Sequence, residues 1–198
     1  MGIRYFVQEE FFDSWSSEMA YVLGYLFADG SMEEASYIRG KYIRVTSTDR
    51  DRIVVIRKLL RSKHPITVRD KGGNFEPLYM LRIGNAHLYD SLIGLGVTPR
   101  KSHSMRLPGI PERYFGDFLR GYFDGDGCAY IELRNNGKPK RLLTVFTSGS
   151  KKFLLELHSK LTKRAGVESR GLYKHGSTAG TFQLRYSSRE SVSIFKLM

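Results

Sequence analysis

Apolar residues recur every three or four positions over residues 15–28 and again over 111–124, which predicts a helix in each stretch. The polar "SSE" at 16–18 offers caps near the first start, and Pro111 suits the first turn of the second. Leu, Ile and Phe at helical spacing predict a further helix at 53–61 and another at 151–164. Alternating, β-rich runs fill the intervals. "KYIRVTS" and "RLLTVFTS" read as strands, "ITVRDKG" and "LYMLRIG" as a hairpin across "GGNFEP", and "RGLYKHG" and "TFQLRYS" as another across "STAG". The order α-β-β-α-β-β therefore runs twice. "HLYDSLIGLGV" adds a closing helix to the first copy, whereas "SVSIFKLM" (191–198) leaves room for only a very short one.

The two copies also share residues. Gly24, Tyr25, Asp29 and Gly30 match Gly121, Tyr122, Asp126 and Gly127, "YIRVTSTDRDRIVVIRKLL" resembles "LLTVFTSGSKKFLLELHSKL", and "YMLRIGN" resembles "FQLRYSS". Three blocks in one order, at offsets of 97, 101 and 103 residues, point to a tandem duplication. The expected organisation is a repeat over 1–97, a proline-bearing linker over 98–110 and a second repeat over 111–198. The fold class that follows is α+β, with two antiparallel sheets related by a pseudo-two-fold axis.

The first helix of each copy carries small residues in a row: Ala20, Gly24 and Ala28 in one, Gly121 and Gly125 in the other. Small residues let helix backbones approach closely. If the two stripes face each other, Asp29 and Asp126 arrive side by side at the helix C-termini. Negative charge is unfavourable there, and two adjacent carboxylates worsen it. A divalent cation removes both penalties, and magnesium is typically held by one or two carboxylates plus substrate phosphate. Gly30 and Gly127, next in the chain, allow a close backbone approach. Asp124 has Phe27 as its counterpart, so it is expected to be an accessory ligand or a charge facing the linker.

Charge narrows the partner. Thirty-two Lys and Arg against twenty Asp and Glu leave +12, which favours a polyanion bound across a folded surface. There is no polybasic tail and no apolar run long enough for a membrane span, and the start lacks a secretory pattern, so a soluble intracellular protein is expected. The single cysteine, Cys128, excludes an internal disulfide, and the five histidines form no zinc-ligand spacing. Helices can cover only one face of each sheet, leaving the other basic. Candidate DNA contacts are Arg39, Lys41, Arg44, Ser47, Arg69, Lys71 and Arg82 in the first copy. In the second they are Arg134, Lys138, Lys140, Lys174, His175, Gln183 and Arg185. Antiparallel ribbons of this kind fit the major groove of duplex DNA.

The motifs "VLGYLFADG" (22–30) and "LRGYFDGDG" (119–127) resemble those of the LAGLIDADG family of homing endonucleases, in its single-chain, two-motif, free-standing form. The resemblance implies monomeric proteins that cut both strands of a long DNA target in intron homing. It implies catalytic, metal-binding acids at Asp29 and Asp126, assisted by backbone carbonyls near Ala28 and Gly125. Mg2+ would be the cofactor, with Mn2+ a substitute and Ca2+ supporting binding without efficient cleavage. Lys101 would organise water near the metal and Arg100 would take a neighbouring phosphate. Phe27 departs from the motif's first acid, and the second copy has no counterpart to Lys101. A non-catalytic DNA-binding protein and an RNA-binding cofactor for intron splicing remain alternatives on the same fold.

Overall fold

The computed structural model describes residues 5–35, 38–70, 72–73, 76–99, 103–168, 171–175 and 180–198, with backbone only at 35, 38 and 39. The first repeat contains α1 (Ser17–Asp29), β1 (Gly30–Ala35), β2 (Ile38–Ser47), α2 (Arg50–Leu59), β3 (Ile66–Arg69), β4 (Leu78–Gly84) and α3 (Ala86–Gly94). The second contains α4 (Phe115–Asp126), β5 (Gly127–Leu133), β6 (Pro139–Ser148), α5 (Lys151–Ala165), β7 (Leu172–Lys174), β8 (Phe182–Ser187) and α6 (Ser188–Leu197). Each set of strands forms an antiparallel sheet, ordered β1-β2-β4-β3 and β5-β6-β8-β7. The chain is thus the duplicated α+β fold that its periodicity predicts.

Local chemistry sets the boundaries. Ser16 caps α1 by accepting from the Met19 N–H at 3.0 Å. Asp49 accepts from the Asp51 and Arg52 N–H groups, so α2 starts three residues before the expected Ile53. Pro111 is extended, at ψ 139°, ahead of a single 3-10 turn, and α4 therefore begins only at Phe115. At their far ends α1 and α4 run on through the acids, because the Gly30 and Gly127 N–H groups still reach Leu26 O and Phe123 O. One expectation is corrected: the second closing helix, α6, spans ten residues, against nine in α3. Ser188 to Glu190, which lie between the strand and the closing stretch read from the sequence, already form its first turn.

The two repeats share one hydrophobic core. Its centre is the α1–α4 contact, where neither helix has side chains in the way. A Cβ added at Gly24 would stand 2.0 Å from Phe118 O, and one at Gly121 would stand 1.9 Å from Tyr21 O. Phe27 occupies the motif position where an acid is absent. It is fully buried and packs against Phe118 and Phe153 of the second repeat, with ring centroids 5.5 and 6.1 Å away.

Behind the second sheet, Thr144 is fully buried opposite Ala129 and Tyr186, and its hydroxyl has no hydrogen-bond partner among the described residues. An unsatisfied buried hydroxyl costs about 1–3 kcal/mol. Thr144→Val removes that cost without changing shape, and thermal unfolding should move up by a few degrees, at roughly 2–4 °C per kcal/mol for a chain of this size. A fall in the unfolding temperature would show that the hydroxyl is satisfied in solution.

Candidate active site and nucleic-acid face

The acids end the two glycine-bearing helices, and each is followed without a loop by an edge strand, β1 or β5. A Cβ at Gly125 would lie 2.4 Å from Ala28 Cβ and 3.3 Å from Asp29 Oδ2. The Asp29 carboxylate therefore lies across the last turn of α4, against the residue that precedes Asp126. Both acids are partly accessible. Ala20, Gly24, Ala28, Gly121 and Gly125 all belong to the two helices of this contact, and the structure brings Gly24, Ala28, Gly121 and Gly125 to the facing surface.

Two tyrosines stand beneath the carboxylates. Burial pushes the Tyr25 phenol up to about 12, opposed by a hydrogen bond with Ser47 and reinforced by the charge of Asp29. Burial pushes Tyr122 far above its ordinary value, and the charges of Asp126 and Asp29 add to the effect. The Tyr122 hydroxyl donates to Thr147 O at 2.6 Å. Both phenols therefore stay protonated at neutral pH and act as braces, not bases.

Among the described residues no group of three or more His, Cys, Asp and Glu gathers as a metal cage. The donor set here is two carboxylates and helix-terminal carbonyls, all oxygen. That set fits a hard cation whose remaining ligands are water and phosphate, and it does not fit zinc.

Asp124 does not face the linker; its side chain is tied across the repeats. It forms an ion pair with Arg52 Nη1 and accepts from the Tyr21 hydroxyl at 2.8 Å, joining α4 to α2 and α1 of the other repeat. Burial and the neighbouring Asp124 carboxylate raise the Tyr21 phenol, which keeps it a donor. So the two matched motif positions both hold the repeats together, Phe27 by packing and Asp124 by charge.

Strand register sorts the candidate DNA contacts. Ile43, Val45, Leu81 and Ile83 face the core, so the open face of the first sheet carries Ser31, Glu33, Tyr42, Arg44, Thr46, Arg82 and Arg69. In the second sheet Phe146, Leu184 and Tyr186 face the core, which leaves Tyr130, Glu132, Arg141, Thr147, Gln183, Arg185 and Tyr173 outside. Arg44, Arg69, Arg82, Gln183 and Arg185 thus lie on the open faces. Arg185 donates to Gln183 Oε1 at 2.9 Å and lies over Tyr173. Arg134, Lys138 and Lys140 cluster at the β5–β6 hairpin, and His175 follows β7.

Three candidates fall elsewhere, because strand residues alternate faces. Lys41 points to the helix-covered side, where Asp90 of α3 holds its ammonium at 2.6 Å. Ser47 is on that side too, accepting from the Asp49 N–H at the start of α2. Lys174 pairs with the inward-facing Phe182. Lys71, Arg100 and Lys101 lie outside the described residues, and only the backbone of Arg39 is described.

Sequence reasoning missed Glu33, which sits between two arginines on the open face, as well as Arg52 and the paired tyrosines. Tyr25 and Tyr122 were visible as a repeat match; their closeness to the acids was not.

Comparison with known proteins finds a likeness for the second repeat and for the fold. The family model for the LAGLIDADG-like domain matches residues 116–197. A search of curated proteins finds no match. Among solved structures, the homing endonuclease I-WcaI bound to its DNA recognition sequence is 12% identical, with a TM-score of 0.67 covering 96% of this chain and 85% of that one. I-DmoI in complex with DNA and Mn is 19% identical, with a TM-score of 0.63 over 91% and 95%. The N-terminal LAGLIDADG domain of DUF199/WhiA is 15% identical, with a TM-score of 0.58 over 96% and 86%. At such identities the likeness establishes the fold; the second repeat, residues 116–197, matches the LAGLIDADG-like domain, and the first repeat carries a second copy of its motif at 22–30.

Proposed function

We propose that the protein is a site-specific endonuclease that hydrolyses one phosphodiester bond in each strand of a long duplex target, as an intron-homing monomer. The observation that carries this reading is the Asp29 carboxylate lying against the residue before Asp126, at the end of helices packed glycine to backbone. A non-catalytic DNA-binding protein needs no pair of acids there. Two basic-faced sheets flanking the pair supply the surface for DNA, and phosphate contacts from Arg69, Arg134, Lys138 and Lys140 would make its affinity fall steeply with salt.

Asp29 and Asp126 would hold Mg2+, with carbonyls near Ala28 and Gly125 and a scissile phosphate oxygen. When bound, the metal polarises the phosphate, lowers the pKa of water and stabilises the leaving 3′ oxygen. The protein's own residues orient and exclude. Tyr25 and Tyr122 stay protonated and brace the helix ends. Lys101 would keep the attacking water's network in place, and Arg100 would hold an adjacent phosphate. Attack from the 5′ side leaves 5′-phosphate and 3′-hydroxyl ends.

The test starts by selecting a target from a random duplex library in Ca2+, then incubating supercoiled DNA carrying it with Mg2+ or Mn2+. Linear product with four-base 3′ overhangs is expected. Specific binding with no cleavage in either metal would overturn the nuclease reading in favour of a DNA-binding protein, and preferential retention of a structured intron RNA would favour the splicing role.

A further inference from the structure

Glu33 is an acid on the face proposed to meet a polyanion, and its setting is built. Its Oε1 forms an ion pair with Arg44 Nη1 at 2.8 Å and its Oε2 accepts from Arg82 Nε at 2.8 Å. Arg44 and Arg82 are direct cross-strand partners on β2 and β4. Arg44 is also fixed through its Nε, which donates to Ser31 Oγ at 3.1 Å. The Arg82 guanidinium lies 3.6 Å above the Tyr42 ring. That ring lies flat across Gly84, where a Cβ would come within 2.7 Å of it. Glu33 is thus held by two guanidiniums on a rigid aromatic floor.

The arrangement leaves a definite pattern of hydrogen-bonding groups facing out. Arg82 uses only Nε inside the cluster, so its two terminal nitrogens have no partner among the described residues, and Arg44 keeps Nη2. A carboxylate has about four acceptor sites; Arg82 occupies one on Oε2, and Arg44 faces Oε1 as an ion pair. Arg44 and Arg82 remain 43% and 37% exposed, against 19% for Glu33. The cluster therefore offers a guanidinium fork with an acceptor fixed beside it.

Resting on the endonuclease reading above, we propose that Glu33, Arg44 and Arg82 act together as a reader of one G·C base pair in the half-site under the first sheet. In the major groove guanine presents two acceptors, N7 and O6, and its cytosine presents the N4 donor. A guanidinium fork followed by a carboxylate is the complement of that edge. An A·T pair reverses the inner two groups, setting adenine N6–H2 against the fork and thymine O4 against the carboxylate. Discrimination then comes from repulsion as well as attraction. Glu33 has a second effect: by holding both arginines on the sheet it withholds them from phosphate, so it trades affinity for selectivity.

Selection from a randomised duplex library in Ca2+, which separates binding from cleavage, tests the assignment. The wild-type protein is expected to favour G·C over A·T at one position of one half-site by about tenfold, the value of a bidentate base contact. Glu33→Gln keeps the shape but replaces an acceptor by a donor. It should flatten that position to about twofold while total affinity holds or rises. Arg82→Lys, which keeps the charge but loses the fork, should flatten the same position. Glu132→Gln removes a comparable acid from the second sheet and should leave that position untouched. Site-specific binding with no G·C preference in the wild type, or a preference unchanged by both first-sheet variants, overturns the reader alone. Absence of duplex binding overturns the endonuclease reading, and the reader with it.

Discussion

Replacing either Asp29 or Asp126 by asparagine is expected to abolish double-strand cleavage in Mg2+ while Ca2+-supported binding to the same target stays within a few-fold. Losing one ligand oxygen's charge removes several kcal/mol of stabilisation of developing phosphate charge, about 10³-fold in rate. Asparagine keeps the shape that lies against Gly125, so the helix contact is undisturbed. It also removes a negative charge from a helix C-terminus, where such charge is unfavourable by roughly 0.3–1 kcal/mol. Thermal unfolding should therefore hold or rise slightly as cleavage disappears. A merely structural acid would behave in the opposite way, losing stability and keeping activity. Full cleavage by either variant, measured as linear product from supercoiled DNA, would remove that residue from the site.

The fold was readable because it is written twice. Helix periodicity and strand alternation repeat with the same residues at each acid, and an assignment that works in one copy is checked by the other. Helix ends were less readable. That α1 and α4 include their acids depends on the N–H of the following glycine still finding a carbonyl four residues back. This bond depends on how the strand leaves the helix, and composition does not encode it.

The candidate site divides along the same line. The acids and glycines were legible as a repeated pattern, and so were the arginines whose strand parity was unambiguous. Lys41 and Ser47 share the parity of Ile43 and Val45, the inward set of β2, which turns them to the helix-covered side. Asp124 was opaque for a different reason. Its partners, Arg52 and Tyr21, come from the other repeat, and a cross-repeat ion pair leaves no local signature. Glu33 was hidden by the net charge: in a chain at +12, an acid among basic strands reads as a solvated neutral spot until its two guanidinium partners are located.

Gly24→Ala and Gly121→Ala should each lower thermal unfolding by roughly 2–12 °C, taking 1–3 kcal/mol for overpacking and 2–4 °C per kcal/mol. The obstacle is backbone on both sides. The new methyl at residue 24 would meet Phe118 O at 2.0 Å and Tyr122 N at 2.9 Å, and that at 121 would meet Tyr21 O at 1.9 Å and Tyr25 N at 3.0 Å. No rotamer relieves such contacts, so α1 and α4 must move apart. Alanine's better helix propensity, worth about 1 kcal/mol, offsets only part of the cost. Gly94→Ala is the control: it ends α3, has nothing within 4 Å of the added carbon, and should be neutral or mildly stabilising. The double variant should cost less than the sum, because both methyls strain one contact and the first has already opened it. Activity gives the decisive readout. Separating the helices carries the Asp29 carboxylate away from Gly125, so cleavage at a temperature where the variants remain folded should fall much further than DNA binding does. If both single variants unfold with the wild type and cut at its rate, the two helices do not meet through their glycines, and the carboxylate pair loses its physical basis.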